Sequence, residues 1–141
     1  MTDFGAAKIR DEVILIARFL MILLFVIFGW TKLFNFSGTV AYFASENLPM
    51  PAIATLIAIV MELLVGVALL LGFFTRPLAI VLAVYTLATG LIGHPFWNMT
   101  GADYAANEIN FFKNFAIIAG LLMFYLTGAG KYSVDRKLRL A

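Results

Sequence analysis

The chain has 141 residues, of which 63% are hydrophobic and 13% charged, and its formal net charge is +2. Average globular domains carry about 45–50% apolar and about 25% charged residues, and a small domain buries only part of its apolar surface. The composition therefore excludes an ordinary cytosolic domain, a disordered chain and a nucleic-acid-binding protein. It indicates an integral membrane protein in contact with lipids.

Four segments are long and apolar enough to cross a bilayer, whose core of about 30 Å needs roughly 20 helical residues. They are residues 13–34, 51–71, 77–94 and 110–127. Proline and glycine mark their ends, and Thr75 is a candidate cap for the third segment. We predict a single all-α domain over residues 1–141, a polytopic membrane protein built as a four-transmembrane-helix bundle.

The distribution of Lys and Arg predicts the orientation of this bundle. Basic residues lie in the N-terminal tail, at Arg76 between the second and third segments, and in the C-terminal tail. The two longer loops, 35–50 and 95–109, contain none. By the positive-inside rule, we expect both termini and the Arg76 loop to be cytoplasmic.

Glu62 is the strongest functional signal, because an ionisable group inside a membrane helix is costly and faces the bundle interior. It lies 11 residues after Pro51, which is about 16 Å along a helix and close to the bilayer midplane. A carboxylate at that depth reaches neither surface. A ligand-binding role is favoured, and a purely structural role, with Glu62 protonated or hydrogen-bonded across helices, stays open.

Three further ionisable groups lie in the outer halves of the other segments. Lys32 is near the outer end of the first, His94 ends the third, and Lys113 is about one turn into the fourth, next to Asn114. The ordinary alternatives are lysines that snorkel to the headgroups and an interfacial histidine. Together with Glu62, we predict that these residues line one pocket sized for a quinone headgroup or a small aromatic molecule.

Four other residues are assigned to structure or anchoring. We expect Arg18 to snorkel towards the cytoplasmic surface and Arg76 to contact lipid headgroups. Gly29 and Gly66 allow helices to approach closely.

The sequence does not decide whether Lys32 and Glu62 are in direct contact, because helix rise places Glu62 about 10 Å below the level of the lysine. A direct salt bridge needs tilted or staggered helices. Otherwise a flat aromatic ligand with polar ends fills the gap, with its rings among Phe25, Phe28, Tyr85 and Phe115.

The absence of cysteine excludes thiolate metal sites and thiol redox chemistry, and a single histidine excludes a haem held by two histidines of one chain. No group of His and carboxylates has metal-ligand spacing. We therefore expect no haem, metal or thiol site, and a quinone is the candidate cofactor.

The residues from Arg18 to Arg76 resemble a known family. The resemblance rests on Arg18, the run from Gly29 to Leu33 with Lys32, the loop Asn47-Leu48-Pro49, the pair Glu62 and Gly66, and the turn Leu71-Gly72 with Thr75-Arg76. This pattern is similar to that of the DoxX family of small four-helix bacterial membrane proteins.

The resemblance implies an inner-membrane location and shared polar positions at Arg18, Lys32, Glu62 and Arg76. The family is named after a subunit associated with thiosulfate:quinone oxidoreduction, and other members are linked to redox homeostasis or to catechol and quinone tolerance. Related eukaryotic four-helix proteins act as receptor-assembly chaperones. The shared positions do not identify catalytic residues.

Two functions follow from these observations, and whether the chain is an enzyme stays open. The first is binding of a quinone or small aromatic as an accessory part of a membrane redox process. The alternative is a non-catalytic scaffold, assembly factor or chaperone, whose partner is another membrane protein or a second copy of the chain. A transporter is disfavoured because four helices are few for a transport path.

Overall fold

The structure is a computed structural model that describes residues 4–140; the other residues of the predicted 1–141 domain lie outside this range. The helices in chain order are α1 (Arg10–Phe34), α2 (Phe36–Ser45), α3 (Pro51–Ile59), α4 (Gly66–Leu71), α5 (Thr75–Gly93), α6 (Gly101–Thr127) and α7 (Val134–Lys137). A π-helical segment, Val60–Val65, joins α3 to α4, and a 3₁₀ turn, Phe96–Asn98, follows α5.

Four spans of the described chain are long and apolar enough to cross a membrane. They are Arg10–Phe34, Pro51–Leu71, Thr75–Asn98 and Gly101–Thr127. In the bundle, α1 packs against the second span and α5 packs against α6. Residues 4–140 contain no strand. The predicted fold class, an all-α polytopic membrane bundle, is therefore confirmed.

The bundle has two ends that differ in structure. The loop end carries α2 and the 3₁₀ turn, and the terminal end carries the starts of α1 and α5, the end of α6 and the C-terminal segment. Between them a small core contains fully buried Ile22, Leu69, Leu82 and Leu121. Most other large apolar side chains are exposed, as a lipid-facing surface requires.

The largest differences from the predicted helices are one early helix start and one additional helix. α6 begins at Gly101 rather than 110, and α2 occupies much of a segment predicted as a loop. The prediction followed the apolar runs, but a helix continues into water where its polar side chains find local partners. Asn107 Nδ2 donates to the Asp103 carbonyl at 3.0 Å, one turn earlier in the helix.

The capping of α5 also differs from the prediction. Thr75 lies inside the first turn, and the capping position belongs to Phe74 in a left-handed conformation, with φ of 47°. The backbone N–H groups of Phe74 and Thr75 donate to the carboxylate of Asp135 at 2.7 and 2.9 Å. A side chain distant in sequence therefore caps this helix, which local pattern reading does not detect.

The sequence predicted that Arg18 snorkels to the surface, and this prediction is wrong. It is 2% exposed and donates to the carbonyls of Ala129 and Tyr132, both at 2.7 Å. The C-terminal segment folds back over the terminal end and covers this arginine. Two backbone carbonyls in the segment accept from Nη1 and Nη2 and hold the guanidinium inside the protein, whereas Nε has no partner among residues 4–140.

Gly29 and Gly66 both face the interface between α1 and the second span. A Cβ on Gly29 would lie 2.6 Å from the backbone nitrogen of Leu63, and one on Gly66 would lie 3.4 Å from Val26. Gly29 therefore sets how closely α1 approaches the π-helical segment, whereas Gly66 has ordinary contact room.

Candidate ligand-binding site

The π-helical segment Val60–Val65 places Glu62 at the centre of the site. Such wide turns are rare and are frequent at functional sites, because the extra residue per turn reorients the side chains. Glu62 is 9% exposed, and Gly29 of α1 packs directly against the backbone at Glu62 and Leu63. The carboxylate is thus held inside the bundle by an irregular turn that another helix abuts.

Each carboxylate oxygen of Glu62 has one strong partner. Lys32 Nζ lies 2.6 Å from Oε2, and the Tyr85 hydroxyl donates to Oε1 at 2.7 Å. A buried charge is tolerated when it is paired and hydrogen-bonded. Three helical spans therefore meet at one carboxylate, and Lys32 and Glu62 neutralise each other's charge.

The direct Lys32–Glu62 contact settles the question that the helix-rise estimate left open. Gly29 lies level with Glu62 and Leu63, and Lys32 is one turn further out, about 4.5 Å rather than about 10 Å along the axis. The second span is staggered outwards relative to α1. The lysine side chain is long enough to cover the remaining offset.

A cavity of about 720 Å³ lies above this carboxylate, between the spans and α2. It extends from Phe25 and Ile117 inside the bundle to Thr39 and Tyr42 at the loop end. The residues predicted from sequence as a ligand pocket all lie on its wall, and these are Lys32, Glu62, His94, Lys113 and Asn114. Arg18 and Arg76 lie at the terminal end, away from it.

Three further polar residues on the cavity wall differ in how many hydrogen bonds they make. His94 Nδ1 lies 2.9 Å from Asn107 Oδ1, which leaves the other ring nitrogen without a protein partner among residues 4–140. Asn114 Nδ2 donates to the Thr86 carbonyl at 3.3 Å, so it also ties α6 to α5. Lys113 is exposed and, within the described chain, makes no hydrogen bond or ion pair.

The aromatic wall differs in one member from the sequence prediction. Phe25, Phe28 and Tyr85 line the cavity. Phe115 does not, because it turns towards Phe111 and Phe112 on the same helix, with ring centroids 5.2 and 6.2 Å away. The Lys32 ammonium lies 5.5 Å from the centre of the Phe28 ring, a cation–π contact.

Several wall residues were not singled out from sequence. The first group is on α2, namely Gly38, Thr39, Tyr42 and Phe43. The second is on α5, namely Thr86, Thr89 and Gly93, next to Tyr85. Both groups recur at three- and four-residue spacing, which is the signal of one helix face. Tyr85 was predicted to contribute its aromatic ring to the wall, but the hydrogen bond from its hydroxyl to Glu62 was not predicted.

Among residues 4–140, no three His, Asp or Glu side chains come together as a candidate metal-ligand group. The cavity offers hydrogen-bond donors and aromatic surface instead. Such a site suits an organic molecule with polar ends.

Comparisons with known proteins agree with the fold. Inner membrane protein YphA of Escherichia coli K12 is 49% identical over 135 residues, which cover 96% of this chain and 95% of that protein. Inner membrane protein YqjF of the same organism is 36% identical over 131 residues, 93% of this chain and 95% of that protein. No solved structure shows significant similarity.

The match to a family model covers three of the four spans. The DoxX model aligns with residues 13–95, a stretch that includes Lys32, Glu62, Tyr85 and His94. Together with the two relatives of nearly equal length, this match shows that the chain belongs to the DoxX family.

Proposed function

We propose that this membrane protein binds a quinone, or an aromatic molecule of similar size, in the 720 Å³ cavity as an accessory part of a membrane redox process. The observation that carries the proposal is the cluster of Lys32 and Tyr85 around the buried carboxylate of Glu62 at the cavity floor. Intramembrane ionisable groups on a shared cavity mark functional sites by default. The four apolar spans and the inner-membrane relatives support an inner-membrane location.

The donors are distributed in a way that suits a flat molecule with an oxygen at each end. At the floor, Lys32 uses one ammonium proton on Glu62, which leaves two for a ligand oxygen. Elsewhere on the wall, Lys113 and, at the end of α5, the second ring nitrogen of His94 are available. Phe25 and Phe28, on α1 at and below the level of Glu62, supply apolar surface on which a ring can stack.

The alternative function, a scaffold or assembly factor, drew its support from stripes of small residues. Gly29 and Gly66 pack inside the bundle against the neighbouring span. They are therefore used within one chain, and no observation in the structure favours a scaffold over ligand binding.

The decisive experiment is a calorimetric titration of the detergent-purified protein with a short-chain quinone. Glu62→Gln should weaken quinone binding by about tenfold or more, because a charge-assisted contact contributes about 1.5–3 kcal/mol. Without its counter-ion, the Lys32 ammonium is displaced from the cavity floor. The matched control is Glu46→Gln, which changes an exposed carboxylate outside the cavity and should leave affinity unchanged.

A second variant protects the test against misfolding. Lys32→Gln combined with Glu62→Gln removes both charges of the pair, so neither member is left as an unpaired ion. We expect this folded double variant to bind quinone as weakly as Glu62→Gln. Undiminished binding in both variants, or no saturable binding by the wild type, would reject the proposal.

A further inference from the structure

A second cavity, of about 250 Å³, lies at the terminal end of the bundle. It forms where α1 and α5 begin and α6 ends, with residues Arg10, Arg76 and Thr127 on its wall. All four membrane spans start or stop at this end of the bundle. In a bilayer, the cavity therefore lies where the hydrocarbon core gives way to the lipid headgroups.

Four cations and one carboxylate line this cavity: Arg10, Arg76, Lys131, Arg136 and Asp11. The Lys131 ammonium is paired with Glu12 at 2.8 Å, and this hydrogen bond raises the pKa of Lys131, so the group stays charged. Asp11 accepts the backbone N–H of Lys131 at 2.9 Å. The cavity therefore has a strong excess of positive charge.

The three arginines are the unsatisfied members of this set. Within residues 4–140, none of their guanidinium groups makes a hydrogen bond or an ion pair. Arginine presents donors in a planar fork that matches two oxygens of one phosphate. These exposed guanidinium groups from α1, α5 and α7 line one cavity, so together they can offer several such donors to one anion.

The cavity floor is fixed independently of any ligand. It consists of residues 128–130, where Gly128 and Gly130 have φ of 70° and 73°. Arg18, buried below, donates to the Ala129 and Tyr132 carbonyls and holds this turn in place. A Cβ on Gly128 would lie 3.7 Å from Arg76 Nη2, so the turn lies directly against the arginine.

We propose that this cavity, which we call the arginine pocket (lined by Arg10, Arg76 and Arg136), binds the phosphate group of an anionic phospholipid headgroup. Basic pockets between membrane helices suit such headgroups because charge and position coincide at the bilayer surface. Free inorganic phosphate has the same chemistry, and the two sources are distinguished by experiment. The proposal is independent of quinone binding, since the pocket lies at the opposite end of the bundle.

The test is native mass spectrometry of the detergent-purified protein with phosphatidylglycerol, compared with zwitterionic phosphatidylcholine. Wild type should retain one phosphatidylglycerol in preference to phosphatidylcholine. Arg76→Gln combined with Arg136→Gln should weaken this binding by about tenfold or more, because each basic residue at the surface contributes about 1 kcal/mol.

The matched control is Lys137→Gln combined with Arg139→Gln, which removes the same two charges from the same C-terminal segment but outside the pocket. It should change lipid retention by less than about twofold, since surface charge alone is non-specific. Arg10→Gln, on a different helix, should weaken binding independently and carries the test if the double variant fails to fold.

A parallel arm measures the melting temperature in sodium phosphate against sodium chloride at equal ionic strength. One outcome is that phosphate stabilises wild type but not the Arg76/Arg136 variant, while wild type shows no preference for phosphatidylglycerol. That outcome supports the pocket with free phosphate as its ligand. Equal lipid loss in the pocket and control variants would overturn the proposal, as would wild type that neither prefers phosphatidylglycerol nor gains stability in phosphate.

Discussion

At the scale of single residues, the site depends on how one buried carboxylate is satisfied. Glu62 accepts one hydrogen bond from Lys32 and one from Tyr85. Each oxygen of this otherwise costly intramembrane carboxylate therefore has a donor. Removal of one partner leaves the hydrogen bond to the other carboxylate oxygen intact. It also leaves a desolvated oxygen without a donor, which costs more than the bond itself contributes.

This balance predicts the effect of Tyr85→Phe, which removes only the hydroxyl that donates to Glu62. We expect the free energy of unfolding to fall by about 1–3 kcal/mol, the cost of an unsatisfied buried polar atom. Thermal unfolding of the detergent-purified protein, followed by circular dichroism, measures this loss. Tyr125→Phe is the control, because Tyr125 is exposed and its hydroxyl has no partner within residues 4–140. Equal melting temperatures for the two variants would contradict the prediction.

At the scale of helices, the π-helical segment and Gly29 act as one unit. Gly29 allows the α1 backbone to reach the backbone at Glu62 and Leu63, and Lys32 then lies one helical turn above the carboxylate. The stagger between α1 and the second span is therefore fixed by a backbone contact. The ion pair follows from that contact.

Gly29→Ala should consequently disturb both stability and the site. Its Cβ would lie 2.6 Å from the Leu63 nitrogen and 2.9 Å from the Glu62 carbonyl carbon, and backbone atoms cannot rotate away. We expect a loss of about 1–3 kcal/mol from overpacking, together with weaker quinone binding, measured by thermal unfolding and titration.

Gly93→Ala is the matched control for Gly29→Ala. Gly93 also lines the cavity wall, but a Cβ there would meet nothing within 4 Å. We expect unchanged or slightly raised stability, since alanine restricts the unfolded chain. A Gly29→Ala protein as stable as the Gly93→Ala protein would show that the close approach of α1 is not required.

At the scale of the whole molecule, the two ends of the bundle carry different chemistry. The loop end is open to the ligand cavity and has aromatic and amide groups, whereas the terminal end carries the arginine pocket and the C-terminal segment. The excess of basic residues at the terminal end predicts that it faces the cytoplasm. The cavity at the loop end would then open towards the outer leaflet.

This orientation can be tested with single cysteines, because the chain has none of its own. In intact cells, Asp103→Cys at the loop end should react with a membrane-impermeant thiol reagent. Lys137→Cys at the terminal end should react only after the membrane is permeabilised. Each variant serves as the control for the other, and the reverse labelling pattern would place the cavity mouth on the cytoplasmic side.

The sequence by itself determined the parts of this protein that depend on composition and local pattern. Four apolar runs of bilayer length require helices, since unsatisfied backbone groups cannot face lipid, and the fold class follows directly. Polar groups in hydrocarbon are costly whatever their neighbours are, and this cost alone marks a set of candidate site residues: Glu62, Lys32, His94, Lys113 and Asn114.

Only the tertiary structure decided how those helices are staggered and what satisfies each polar group. The offset between Lys32 and Glu62, the hydroxyl of Tyr85 on the carboxylate and the burial of Arg18 by the C-terminal segment all join residues distant in the chain. Helix rise measures distance along one helix, whereas stagger is set by side-chain packing between helices, such as that of Gly29 on the π-helical turn. That packing involves residues from two helices at once, and no local pattern in either helix specifies it.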